Sequence, residues 1–219
     1  MVADDGQRAV RSEVADRLDA MRADRCRALA CEALGEHCTV LCNPRRRGLL
    51  ANMVTAIRTI CADGETVIVT LDADDALIGD RVLERLAAEY RRGADVTVGS
   101  MLRTDNAADY PVCFERPREC RGGNVWQHLR SFQKRLIDAI PDEALRLDGD
   151  YASLASDWAF MLPIVEMADN LVRIPQPLYL YEPSGVGKGA DRTAREEAIG
   201  RIVAKGPAKA DTTVRHDPH

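Results

Sequence analysis

The chain has 219 residues, of which 46% are hydrophobic, so it has enough apolar side chains for one domain with a sizeable core and is unlike a fully disordered polypeptide. The formal net charge is -5, from 30 basic and 35 acidic side chains, so the protein as a whole offers no attraction to nucleic acid or to an anionic membrane. No apolar run is long enough to span a bilayer, and the first residues lack the regions of a signal peptide, which predicts a cytoplasmic location.

Helical and strand patterns alternate through the first half of the chain, as is typical of an α/β sheet. Breaks at Asn43-Pro44 and Gly93 separate some of these patterns. The predicted elements are a helix over 11–34, a strand over 39–42, a helix over 49–62, a strand over 67–70, a helix over 78–92 and a strand over 94–99.

The second half of the chain has a different composition. Residues 103–125 are rich in Arg, Asp, Pro and Gly without a helical period, which predicts a long irregular connection suited to a substrate loop. Apolar periodicity predicts helices over 126–140 and 156–168, followed by a strand over 171–174 that ends at Pro175. From 183 to 219 the sequence predicts a disordered tail.

The seven cysteines are an odd number in a chain without a secretion signal, so we expect reduced thiols. Four of them crowd into a short stretch with His37, but their spacings do not match the paired C-x₂-C of a zinc site. Packed core thiols are therefore favoured over zinc ligands at Cys26, Cys31, Cys38 and Cys42.

A strand that runs directly into three carboxylates is the strongest chemical signal in the sequence. Val67–Thr70 is β-prone and predicts a buried strand, and Asp72, Asp74 and Asp75 follow it at once. Acids packed together at a strand end repel one another unless a cation or polar ligand compensates, and carboxylate oxygens favour Mg²⁺ or Mn²⁺. The alternative is an acidic turn in which Asp74 or Asp75 caps the next helix, although a cap requires only one acid.

Other polar and aromatic residues have two interpretations each. Asp157 precedes an apolar helix and is either its N-cap or a catalytic base. Arg47 ends a basic run that either binds a diphosphate or is solvated surface. His128 and Arg130 lie two apart, hence on different faces of a predicted helix, and Trp126 is either core or ligand contact.

Taken in order, several segments resemble those of one known family. They are Val2-Ala3-Asp4-Asp5-Gly6-Gln7, the region from Asn43 through Arg47 to Asn52, Leu71–Asp75, Trp126–Phe132, Ser156-Asp157-Trp158 and Leu178–Tyr181. This ordered set is similar to the motifs of the family 2 glycosyltransferases, which have the GT-A nucleotide-sugar-binding fold. The resemblance implies an α/β fold of GT-A (Rossmann-like) type, with a mixed sheet flanked by helices.

The resemblance also implies a role for each matching residue. Asp74 and Asp75 would hold Mg²⁺ or Mn²⁺, and Asp157 would be the catalytic base. The residues implied to bind the nucleotide are Asp4, Asp5, Arg47, Asn52 and Asp72. The acceptor side is implied to include Trp126, His128 and Arg130. The glycosyltransferase domain would cover 1–182, with a nucleotide-binding part over 1–100 and an acceptor part over 101–182.

The expected function is inverting, metal-dependent transfer of a sugar from a nucleotide-diphosphate donor to a hydroxyl of a glycan, lipid carrier or metabolite. The runner-up is a non-catalytic GT-A-like remnant or partner-binding subunit, and a nucleotidyltransferase on a related sheet is a third interpretation. The family begins with a strand and turn of the type V-I-I-P-x-Y-N, so the resemblance implies that the N-terminal strand and helix, roughly 40 residues, are missing. An oligomer or a separate chain would then complete the sheet.

Overall fold

The computed structural model describes residues 47–105, 113–183 and 192–208, together with a few positions between 24 and 43. The chain divides into two compact units, Met1–Arg47 and Gly48–His219. In the first unit the described positions from Asp24 to Glu32 are helical, as predicted for 11–34. Thr39, Val40 and Leu41 lie outside any strand, so the strand predicted over 39–42 is wrong at these three positions. The four clustered cysteines lie outside the described residues.

The second unit contains six α-helices and seven strands in its described part. The helices are α1 (Leu49–Ile60), α2 (Val82–Arg91), α3 (Pro117–Cys120), α4 (Lys134–Asp138), α5 (Ser156–Met167) and α6 (Arg192–Ala204). The strands are β1 (Val67–Thr70), β2 (Ala76–Leu77), β3 (Val96–Arg103), β4 (Arg130–Gln133), β5 (Arg146–Leu147), β6 (Asp150–Tyr151) and β7 (Leu171–Tyr181). Two short 3₁₀ turns cover Gly123–Val125 and Asp142–Leu145.

Five of the strands form one mixed sheet with helices on both faces. The strand order is β1-β4-β3-β7-β2, in which β3 and β7 run parallel and the other neighbours run antiparallel. The main core joins α1, α4, α5 and α6 to β3 and β4, whereas a smaller core joins α2 to β3 and β7. This architecture confirms the predicted fold class.

A helix over 126–140 is the largest error of the sequence prediction. The chain instead forms β4 and then the short helix α4. Trp126, Leu129 and Phe132 are buried at intervals of three, which imitates a helical period. Because β4 is inserted between β1 and β3 and is covered on both faces, Ser131 and Phe132 are both fully buried and no polar alternation marks the strand.

Two further differences concern the C-terminal part. Strand β7 does not end at Pro175 but continues to Tyr181, and the register with β3 shifts between Val98 and Ser100, opposite the two prolines of β7. A shift of this kind tolerates residues that donate no ladder hydrogen bond. The disordered tail predicted over 183–219 is wrong for Arg192–Ala204, because Ala198 and Ile202 of α6 are buried in the main core. None of the described helices is long and apolar enough to cross a membrane.

Gly99 in β3 makes the closest backbone approach in the sheet. A Cβ atom built at this position would lie 2.8 Å from the backbone nitrogen of Leu129 and 3.1 Å from the carbonyl oxygen of His128. We therefore expect Gly99→Ala to lower the free energy of unfolding by about 2 kcal/mol in urea denaturation, since backbone atoms cannot move aside as a side chain can.

A matched control is Gly200→Ala in α6, where an added Cβ would meet nothing within 4 Å. That change should stabilise the protein by about 0.5–1 kcal/mol, because alanine favours a helix over glycine. Equal stability of the two variants would contradict the close approach at Gly99.

Candidate active site

Strand β1 delivers the three carboxylates to one end of the sheet. It pairs on one side with β4 and is half-buried along its whole length, so the expectation of a buried strand is wrong. Within the described strands its other edge has no partner, which accounts for the exposure. The chain then turns, and the Asp75 N–H donates to the Asp72 carbonyl oxygen at 3.1 Å.

The carboxylate of Asp75 is bound to the end of β7. Its Oδ2 accepts a hydrogen bond from the Tyr179 hydroxyl at 2.6 Å, and its Oδ1 accepts one from the Glu182 N–H at 2.8 Å. The Asp72 N–H in turn donates to the Tyr179 hydroxyl at 3.3 Å. Burial and the hydrogen bond to Asp75 raise the pKa of Tyr179, so this hydroxyl remains a donor. These contacts fasten the acidic turn to the last strand of the sheet.

Asp74 is the exposed member of the three acids, and Asp72 is half-buried. In the described part of the chain, no three His, Cys, Asp or Glu side chains converge as a ready-made metal cage. This donor set still suits Mg²⁺ or Mn²⁺ bound with a substrate, because such ions are commonly held by one or two carboxylates together with substrate phosphates and water. Asp74 and Asp75 would supply those carboxylates. Neither acid caps α2, since that helix begins at Val82 with Arg81 at the N-cap position.

Arg130 stands beside the acidic turn. It pairs in register with Thr70, the last residue of β1, and its Nε donates to the Trp126 carbonyl oxygen at 2.9 Å. The side chain is only 11% exposed, and Nη2 lies 3.7 Å from Oδ2 of Asp157. Burial lowers the pKa of the Arg130 guanidinium, and the negative charges of Asp157 and Asp72 oppose that shift. Arg130 therefore lies under the influence of both acids.

Asp157 lies in the first turn of α5 and is not the N-cap. Helix α5 begins at Ser156, and Ala155 occupies the N-cap position with φ 52°. The Asp157 side chain is 28% exposed, and its two oxygens lie 3.5 and 3.4 Å from Nη2 of Arg195 in α6. The carboxylate is thus flanked by two guanidinium groups and keeps an open side toward solvent. An acid at this end of a helix is also stabilised by the helix dipole.

Sequence reasoning missed Arg195, because the residue falls in the segment predicted as a disordered tail. The missing signal was the helical spacing of Ala198, Ile199, Ile202 and Val203, which places four apolar side chains on one side of α6. Once this helix packs against the main core, Arg195 meets Asp157.

The aromatic residues predicted for the acceptor side are packed inside the protein. Trp126 is 1% exposed and meets Trp158 edge to face, with ring centroids 5.1 Å apart. His128 is buried and stacks on Tyr179 at 4.3 Å. The core interpretation therefore fits Trp126 and His128 better than direct contact with an acceptor. The third residue, Arg130, is the one that reaches the acids.

Of the residues predicted to bind the nucleotide, Asn52 and Asp72 belong to the second unit. Asp4 and Asp5 lie outside the described residues. Arg47 is exposed and belongs to the first unit, and Asn52 is on the exposed face of α1. Of Asn52 and Asp72, it is Asp72 whose charge acts on Arg130. A cavity of about 750 Å³ borders α2 and β7 and contains none of the predicted site residues.

Comparison with known proteins gives one family and several structural likenesses. Residues 2–141 match the family described as "Glycosyl transferase family 2". No curated protein sequence matches the chain. Similar solved structures include S. aureus TarS 1-349 in complex with UDP-GlcNAc, at 14% identity and TM-score 0.49, covering 74% of this chain and 47% of that one.

A second structure of S. aureus TarS 1-349 gives 13% identity and TM-score 0.45, with 71% of this chain and 50% of that one covered. A third structure of it, in complex with UDP, gives 13% identity and TM-score 0.42, with 68% and 48% covered. The chain thus spans about half the length of these structures. At such values the likeness assigns no role to any residue.

Proposed function

The chain belongs to glycosyl transferase family 2, and on that premise we propose that the protein is an inverting, metal-dependent glycosyltransferase. It moves a sugar from a nucleotide-diphosphate donor to a hydroxyl of a glycan, a lipid carrier or a small metabolite. The observation that carries this proposal is the position of Arg130, which lies 3.7 Å from Asp157 of α5 and whose pKa, lowered by burial, is raised by the charges of Asp157 and of Asp72, just after β1.

The acceptor hydroxyl must lose a proton as its oxygen attacks the anomeric carbon. Asp157 is the group proposed to accept that proton, because its carboxylate is partly exposed and a hydroxyl can therefore approach it from solvent. The bond between the anomeric carbon and the diphosphate oxygen breaks in the same step. Arg130 and Arg195 hold the Asp157 carboxylate from two sides and so fix its direction.

The departing diphosphate gains negative charge, and we place it next to the acidic turn that would hold the metal ion. A bound Mg²⁺ or Mn²⁺ would neutralise part of that charge and orient the leaving group. Asp74 is the first candidate ligand because its side chain is the exposed one of the three acids, and Asp75 is the second candidate. Asp72 is proposed to hold a ribose hydroxyl or the water shell of the metal.

The proposal is tested by incubating the full chain with a panel of UDP-, GDP- and dTDP-sugars and Mn²⁺. We expect one donor to release its nucleoside diphosphate, more quickly with a hydroxyl acceptor present, and EDTA to abolish the release. The measurement is nucleoside diphosphate formed over time, and heat-treated protein gives the background.

A second candidate, a subunit that binds a partner without catalysis, is favoured by one observation. Within the described strands β1 is paired on one side only, and such an edge can accept a strand from another chain. Failure of every donor to bind or react, together with a stable complex between this protein and another protein chain, would favour this candidate over the transferase.

A further inference from the structure

Two cysteines stand face to face around a single helical turn. The Sγ atoms of Cys113 and Cys120 are 3.5 Å apart. Cys120 is the last residue of the short helix α3, and Cys113 precedes that helix. Cys120 is exposed and Cys113 is half-buried. The third described cysteine, Cys61, is half-buried and follows directly after α1.

We propose that Cys113 and Cys120 are a redox-active pair that forms a reversible disulfide by exchange with a small-molecule disulfide such as oxidised glutathione. This inference does not depend on sugar transfer. It adds a modification site to a chain whose sequence predicts only reduced thiols.

The geometry suits closure of the bond. A disulfide holds its sulfur atoms about 2 Å apart, so the two thiols need to approach by about 1.5 Å, which side-chain rotation can supply. The exposed thiol of Cys120 is open to a small molecule, while Cys113 lies behind it within reach of the same sulfur. The accessible cysteine can form a mixed disulfide with the small molecule, and a second cysteine beside it can then displace that molecule to form the internal bridge.

The exchange balances in two steps. The Cys120 thiolate attacks one sulfur of the small-molecule disulfide, and the first small-molecule thiolate leaves and takes up a proton. The Cys113 thiolate then attacks Sγ of Cys120, and the second small-molecule thiolate leaves and is protonated. Two protein thiols are oxidised, one small-molecule disulfide is reduced to two thiols, and the two protons pass from the protein to those thiols.

The pair lies at the start of a segment that is bound to the helix carrying Asp157. Nε of Arg121 donates to Oε1 of Glu166 in α5 at 2.6 Å, and Nη1 donates to the Val203 carbonyl oxygen of α6 at 2.9 Å. Two residues further, a Cβ on Gly123 would lie 2.9 Å from the Trp158 ring. A bridge between Cys113 and Cys120 would link the backbone at Cys113 to the segment that Arg121 binds to α5 and α6.

The test compares reduced protein with protein treated with oxidised glutathione under native conditions. Because the Cys113 thiol raises the pKa of the Cys120 thiol, the treatment is done at mildly alkaline pH to supply thiolate. After alkylation of remaining thiols, peptide mapping should show a product that links Cys113 to Cys120, which disappears on reduction. Thermal unfolding of the bridged protein should shift upward by about 5 °C, since the bridge restricts the unfolded chain.

Two serine variants and one control complete the experiment. Cys113→Ser should leave Cys120 capped by glutathione, and neither it nor Cys120→Ser should show the rise in Tm. Cys61→Ser should form the Cys113–Cys120 product as the wild type does. The proposal is overturned if Cys113 and Cys120 remain alkylated like Cys61 in the oxidised sample, if either pairs mainly with another cysteine, or if the bridged protein melts no higher than the reduced one.

Discussion

Replacement of Asp157 by asparagine is expected to reduce sugar transfer by a factor of about 10²–10⁴ while leaving donor binding nearly unchanged. Asparagine keeps the shape of the side chain but cannot accept the proton of the acceptor hydroxyl. Helix α5 packs into the main core through its apolar side chains, and Asp157 is not one of them. Turnover with saturating acceptor gives the catalytic effect, and titration calorimetry with the donor gives the binding constant.

Two variants separate a base from a residue that merely holds charge. Asp150→Asn changes an exposed acid of β6, in the separate two-stranded sheet, and we expect it to leave transfer unaffected. Arg195→Ala removes one of the two guanidinium groups beside Asp157 and should lower turnover less than Asp157→Asn does, because Arg130 still holds the carboxylate. Normal transfer by Asp157→Asn would eliminate Asp157 as the base, and an equal loss of donor binding would indicate a structural role instead.

Replacement of Asp74 by alanine should lower Mn²⁺-dependent turnover of the donor by a factor of about 100 or more. The reason is that Asp74 is the exposed acid of the turn, so its loss removes a proposed metal ligand without opening a cavity in the core. A Mn²⁺ titration of donor turnover is the measurement, and Tm of the variant should match that of the wild type.

The matched control for Asp74→Ala is Asp80→Ala, an exposed acid shortly after the same turn. It carries the same charge change and should keep the full Mn²⁺ dependence. Asp75→Ala would be a poorer test, because it also removes the acceptor of the Tyr179 and Glu182 hydrogen bonds and so disturbs the turn itself. An unchanged Mn²⁺ requirement in Asp74→Ala would count against the metal assignment.

Local signals were enough to predict the elements that frame the acids. The β-prone run of β1 and the apolar periodicity of α1 and α5 depend on neighbouring residues, and the structure confirms all three elements. Strand β4 was predicted as part of a helix, because burial on both faces removes the alternation by which a strand is recognised.

The contacts within the candidate site depend on distant parts of the chain. Asp157 meets Arg130 of β4 and Arg195 of α6, the latter 38 residues later in the sequence. Such pairs arise from the packing of helices on the sheet, and no spacing rule connects their positions. The resemblance to family motifs indicated Asp157 and Arg130 individually, but the salt bridge between them emerged only from the fold.

The hydrogen bond between Tyr179 and Asp75 spans 104 residues of the sequence. Tyr179 belongs to β7, which pairs with both β3 and β2, so this contact joins the acidic turn to the strand between them in the sheet. During synthesis the acidic turn is made before the strand that carries Tyr179. A chain that ends before β7 therefore lacks the two groups that hold the carboxylate of Asp75, the Tyr179 hydroxyl and the Glu182 N–H.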